Sequence, residues 1–178
     1  MKRFGIKEII FAAIVSVGMN VVSFIAVPLA TAIPVPGART LLIAPFYGVL
    51  MVIAILKVPR FGMPTLVAVF TGAVMLFISP TIFFFLTTSA VLSELITFVV
   101  FRGYRAKWAP VVLSGLYCGF QVPFGVLFGS IFVGDYVAAF VVTVPVMTGM
   151  FLAAFLLGAL GGMVGRKIGA ELREIGKL

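Results

Sequence analysis

A chain of 178 residues that is 63% hydrophobic and only 10% charged is not an ordinary soluble domain, where these fractions run nearer ~45–50% and ~25%. With no histidine, five acidic residues and one cysteine, it has almost no capacity for metal binding, acid–base catalysis or an internal disulfide. The formal net charge of +8 would suggest nucleic acid in a soluble protein. Here, however, the cations lie at the ends of apolar runs and no basic, aromatic-interleaved surface exists, which excludes nucleic acid as a partner.

The apolar runs predict six transmembrane helices, at 9–27, 40–56, 63–78, 81–101, 110–133 and 136–164. The first, after Lys7, is too long for the apolar region of a cleavable signal and reads as its own insertion signal. Pro28, Pro34, Pro36 and Gly37 then punctuate a mildly apolar segment ending at Arg39, expected to fold over the bundle. Pro45 is expected to kink the second span. A tight turn, Lys57 to Gly62, leads into the third span, and Ser79-Pro80 leads into the fourth. Trp108 sits at interface depth before the fifth, which Pro110 opens. Gly134-Asp135 turns the chain into the sixth span, whose 29 residues would run ~43 Å and must therefore tilt, bend at Pro145 or emerge from the membrane.

Twelve of the thirteen Lys and Arg residues fall at junctions on one side of these spans, and Arg39 alone falls on the other. Short basic loops stay in the cytoplasm. The expected architecture is an all-α membrane protein in one domain, 1–178, with six transmembrane helices and both termini cytoplasmic.

Small residues recur four apart, as in Gly115/Gly119, Gly125/Gly129, Gly149/Ala153, Ala154/Gly158/Gly162 and Gly161/Gly165. In lipid such faces let helix backbones approach closely. In the fifth and sixth spans they are expected to pack within the molecule. Ala12 and Ser16 form a similar face on the peripheral-looking first span and are expected to dock a partner helix.

Polar groups inside a membrane are costly and mark candidate sites. Depth groups Asn20, Tyr47, Thr87, Thr88, Gln121 and Thr143 in the outer halves of their spans, with Arg39, Asp135 and Tyr136 at the rim. Of the aromatics 83–85, at least one is expected to face inward, and Phe84 is assigned to the site. A mostly apolar pocket with a few convergent polar groups is the usual form of a small-molecule site. Arg39 suits either a lipid phosphate or a ligand carboxylate or phosphate. Glu94 lies deep in the fourth span. It is expected to be protonated, paired with an inner-loop cation or placed at a protein interface, in a structural or subunit-contact role, with proton coupling as the remaining option.

Six short spans, inward termini and about 180 residues resemble the substrate-binding (S) components of energy-coupling factor (ECF) transporters. Ala12-Ala13-Ile14-Val15-Ser16 looks like that family's docking motif, with Ser16 where Ala is usual. The run Lys57-Val58-Pro59-Arg60-Phe61-Gly62-Met63-Pro64-Thr65 and the acid Glu94 resemble the MptD-like branch. The resemblance implies an S-component-like bundle in a prokaryotic cytoplasmic membrane that captures a small organic nutrient, a vitamin or related micronutrient, from outside. It implies as partners a transmembrane coupling subunit, docked through Ala12, Ser16 and Glu94, and two ATP-binding subunits. No cofactor and no enzymatic activity are expected, and the chain has no phosphate-binding loop of its own. The alternative is a self-contained secondary transporter or channel for a small solute.

Overall fold

The computed structural model describes residues 4–31, 38–104, 106–134 and 144–174. They form six helices: α1 (Ile6–Thr31), α2 (Ala38–Lys57), α3 (Met63–Leu76), α4 (Pro80–Phe101), α5 (Ala109–Val133) and α6 (Val144–Glu174). Five of them are long and apolar enough to cross a membrane, and the chain is a multi-pass membrane protein. The exception is α3. Its 14 residues rise only ~21 Å, short of a ~30 Å hydrocarbon core. The expected third span was longer because Phe77 and Ile78 are apolar, but the helix ends before them and both stand exposed in the turn to α4.

Helix contacts give the topology. The sequence of touching pairs α1–α2, α2–α5, α5–α4, α4–α3 and α3–α1 closes a five-helix ring. α6 lies outside this ring, packed against both α2 and α5. Its seat is built from glycine, because a Cβ at Gly161 would stand 1.9 Å from the Pro45 carbonyl oxygen, and one at Gly48 would stand 2.1 Å from that of Gly158. Backbone therefore lies directly on backbone along the α2–α6 seam. On the α5 side, Gly115 and Gly119 receive the rings of Phe155 and Phe151, and Gly158 meets Cys118. The expected internal packing of these spans holds there. Gly125 and Gly149 have open space beside them and take no part.

Two prolines bear on the helix bounds. α1 runs through Pro28 to Thr31, a turn beyond the predicted end at 27. Pro145 lies at the start of α6, where a missing N–H costs nothing, so the long sixth helix is not bent there. It emerges instead. At 31 residues it extends ~46 Å, well past the predicted end at 164. The emergent turns carry Arg166, Lys167 and Arg173. Arg166 anchors this extension, lying 5.0 Å over the Trp108 ring and donating to the Lys107 carbonyl at 3.2 Å.

Candidate functional site

α1 has two unlike faces. Ile6, Ile10, Ile14, Val17, Val21 and Phe24 are exposed, while Ala12, Val15, Ser16, Met19, Asn20, Ser23 and Ala26 are buried. This helical spacing turns a polar stripe, Ser16–Asn20–Ser23, into the five-helix ring. Ala12 and Ser16, expected to dock a partner, therefore lie in the core at 0% and 3% exposure. Ser16 donates its hydroxyl to the Ala13 carbonyl. The small-residue spacing was legible, but in water-free surroundings it does not say which side of a helix the partner occupies. Here that face packs within the chain.

At mid-height the ring closes over a set of polar side chains. Arg39 sits at the start of α2 and donates to the Ser23 hydroxyl at 2.5 Å. Tyr47 lies beside Ser23. The Tyr47 ring stacks on Tyr117 of α5, with centroids 6.3 Å apart and planes 17° apart. One turn further along α5 lies Gln121, and one turn back along α1 lies Asn20. Tyr47, Tyr117, Gln121 and Asn20 are all buried. These contacts link three helices of the ring and descend from the Arg39 rim into its interior.

Several of these groups have no hydrogen-bond partner. Both side-chain amide atoms of Asn20, Nε2 of Gln121, the Tyr117 hydroxyl and the Ser89 and Thr87 hydroxyls are buried and unpaired. Native proteins pair nearly all such atoms, and a buried orphan costs about 1–3 kcal/mol. Thr81 and Thr97 are also unpaired but stand near the two ends of α4. The remaining orphans lie on α1, α4 and α5, three helices of the ring.

The predicted residues divide accordingly. Arg39 and Tyr47 both adjoin Ser23, Asn20 and Gln121 are buried on α1 and α5, and Thr87 has a buried hydroxyl. Phe84 does not face the interior. It is exposed and stacks on Phe128 and Phe132 in a seam of rings between α4 and α5. Thr88 shares the outward stripe of Phe84, Val91 and Leu95, while Ser89 and Leu86 point inward. Asp135, Tyr136 and Thr143 lie outside the described residues. Tyr117, Ser23 and Ser89 escaped the sequence reading. Tyr117 was signalled by its position four residues before Gln121, on the same helical face.

Glu94 occupies the opposite, basic end. It is 1% exposed and accepts the Gly62 N–H and the Thr65 hydroxyl, each at 2.6 Å, together with the Tyr104 hydroxyl. These three donors are uncharged. Its carboxylate caps the N-terminus of α3, where exposed N–H groups and the helix dipole favour negative charge. Nearby, Arg60 pairs with Glu8 at 2.9 Å and joins the same turn to the start of α1. The Glu94 carboxylate is thus enclosed within this chain.

A groove of about 440 Å³ opens elsewhere, on the outer side of the α2–α6 seam. Pro45, Phe46, Val49, Leu160 and Val164 line it, with Lys167 at its basic end, and it contains none of the predicted site residues.

No family model and no curated protein matches the chain. Among solved structures, it is similar to one described as the crystal structure of an S-component of ECF transporter. The TM-score is 0.67 at 17% sequence identity, covering 98% of this chain and 88% of that one. The protein thus has the fold of a membrane-embedded S-component. At this identity the likeness extends to the bundle and not to the residues inside it.

Proposed function

We propose that this chain is the substrate-binding subunit of an ECF-type importer, capturing a small organic nutrient from outside the cell. A transmembrane coupling subunit and two ATP-binding subunits would supply the energy. The cell's cytoplasmic membrane is its place, with the basic end inward. The observation that carries this reading is the set of unpaired polar atoms within the ring, on a chain with the fold of an S-component. Such a guest would enter past Arg39 and be held by Asn20, Tyr47, Tyr117, Ser89, Thr87 and Gln121. The reading assigns Ala12 and Ser16 to packing, so docking through them would require α1 to turn.

A self-contained secondary carrier is disfavoured by Glu94. The deep acid that proton coupling would use is already engaged by three donors that tie α3, α4 and the loop after α4 together.

The test is ligand-dependent thermal stabilisation of the purified chain against a broad panel of small nutrients, since a ligand that binds the native state shifts unfolding by mass action. Stabilisation without transport by the chain alone in liposomes is the expected result. Vigorous ATP-independent uptake by the isolated chain would instead assign it to the secondary carriers.

A further inference from the structure

The groove on the outer side of the α2–α6 seam takes no part in the ring, and its build narrows what it accepts. Gly161 and Pro45 form its floor, where the two backbones meet. Phe46, Leu160, Met163 and Val164 stand exposed beside it. Among the described residues lining it, Lys167 alone is charged.

α2 and α6 run in the same direction, since Gly161 meets Pro45, Gly165 meets Val49 and Gly169 meets Leu56. The groove therefore descends from Pro45 toward the basic end of the bundle. The residues from Gly161 to Lys167 rise ~9 Å along it. Lys167 falls between the levels of Val49 and Leu56, near the last turns of α2. Its long apolar stem lets the ammonium group reach on toward the membrane interface. Among the described residues it forms no ion pair, not even with Glu171 one turn further on.

A second helix is a poor occupant of this groove. In lipid, helices associate where small residues let backbones approach. Gly48, Gly161 and Gly165 already lie on this chain's own backbone. The bulky side chains at the opening hold another backbone away from the floor. A thin hydrocarbon chain meets neither obstacle. The cytoplasmic leaflet carries anionic lipids, whose headgroups are attracted to cations at the membrane surface. An apolar trough that ends at a single unpaired cation is the complement of such a molecule, tail and head together.

We propose that the groove holds an acyl chain of an anionic phospholipid from the cytoplasmic leaflet, with its phosphate on Lys167. This rests on the basic end facing the cytoplasm and not on any guest within the ring, so its failure leaves the binding-subunit reading standing.

The test titrates the full chain in detergent with dioleoylphosphatidylglycerol and with dioleoylphosphatidylcholine, and counts bound lipid by native mass spectrometry. The anionic lipid is expected to bind about fivefold more tightly, the scale of one lysine beside an anionic headgroup. Lys167→Gln is expected to abolish that preference, and Arg173→Gln, outside the groove, to retain it. Val164→Trp fills the groove from an exposed position and is expected to weaken binding of both lipids, with circular dichroism showing the helices intact. Equal binding of the two lipids, a preference that survives Lys167→Gln, or binding unchanged by Val164→Trp overturns the proposal. A spectrum dominated by dimers that Val164→Trp disrupts overturns it as well, and gives the groove to a second copy of the chain.

Discussion

Glu94 Oε1 accepts the backbone N–H of Gly62 at 2.6 Å, which places a buried carboxylate from α4 on the first turn of α3. Gly62 holds φ at +95°, a left-handed conformation that side-chain-bearing residues seldom adopt, so the turn is shaped to aim that N–H. Three separate segments depend on the one acid: the α2–α3 turn, the start of α3 through Thr65, and the α4–α5 loop through Tyr104.

Replacing Glu94 with Leu is therefore expected to destabilise the protein by about 2–3 kcal/mol. The Gly62 N–H would be left unpaired, and so would hydroxyls that must find other acceptors. Glu94→Gln keeps an acceptor in place and is expected to recover most of the loss. Thermal unfolding in detergent measures both, and equal melting temperatures for Leu and wild type would refute the capping role.

Tyr104 ties the same network to pH. Burial, the neighbouring Glu94 charge and their hydrogen bond all hold its hydroxyl well above the ordinary tyrosine range. Below ~10, where an unfolded tyrosine keeps its proton, the bond contributes fully. Above that, the unfolded chain releases a proton that the folded chain retains, so stability falls by up to ~1.4 kcal/mol per pH unit. Tyr104→Phe is expected to cost about 1 kcal/mol at neutral pH. Its deficit relative to wild type is expected to shrink above pH ~10. Parallel stability curves across that range would exclude the coupling.

Glycines on the two sides of the bundle are expected to respond oppositely to alanine. At Gly161 the new methyl would meet the Pro45 backbone, which cannot move aside as a flexible side chain does. Gly161→Ala is expected to separate α2 from α6 and cost ~3 kcal/mol or more, in the range of core overpacking. Gly125→Ala enters open space and gains helix propensity, so its effect is expected to stay within ~1 kcal/mol. Melting temperatures of the two variants in one detergent decide the matter.

Function and stability are expected to oppose one another at Asn20. Its two amide atoms are unpaired in the ligand-free chain. Asn20→Leu exchanges them for an apolar group of similar size and is expected to raise the ligand-free melting temperature. The gain is ~2–4 °C for each kcal/mol recovered in a chain of this size. A lowered melting temperature would mean that Asn20 has partners in the resting protein and is not held open for a guest.

The features legible in the sequence share a physical cause. Span positions follow from where ~20 apolar residues run together, and α2 and α4 were placed within two residues at either end. Tyr47, Asn20 and Gln121 stand out as candidates because polarity inside an apolar run is visible one residue at a time, and all three are buried. Direction is not visible in that way. Almost every position of α4 is apolar or small, so the outward turn of Phe84 and the inward turn of Ser89 carry no amphipathic signal. Nor could sequence spacing pair Glu94 with Gly62, since they are 32 residues apart and meet only because α3 and α4 pack side by side.

Composition and cation placement alone determined that this chain lives in a bilayer, how often its apolar runs recur, and which of its ends is basic. Those properties depend on transfer free energy and charge, which each residue contributes locally. Only the tertiary structure decided that α6 lies outside a five-helix ring, that Ala12 and Ser16 face inward, and that Glu94 binds a helix terminus. Those outcomes depend on how closely backbones approach at Gly48, Gly158 and Gly161, and on which polar atoms then find partners across the bundle.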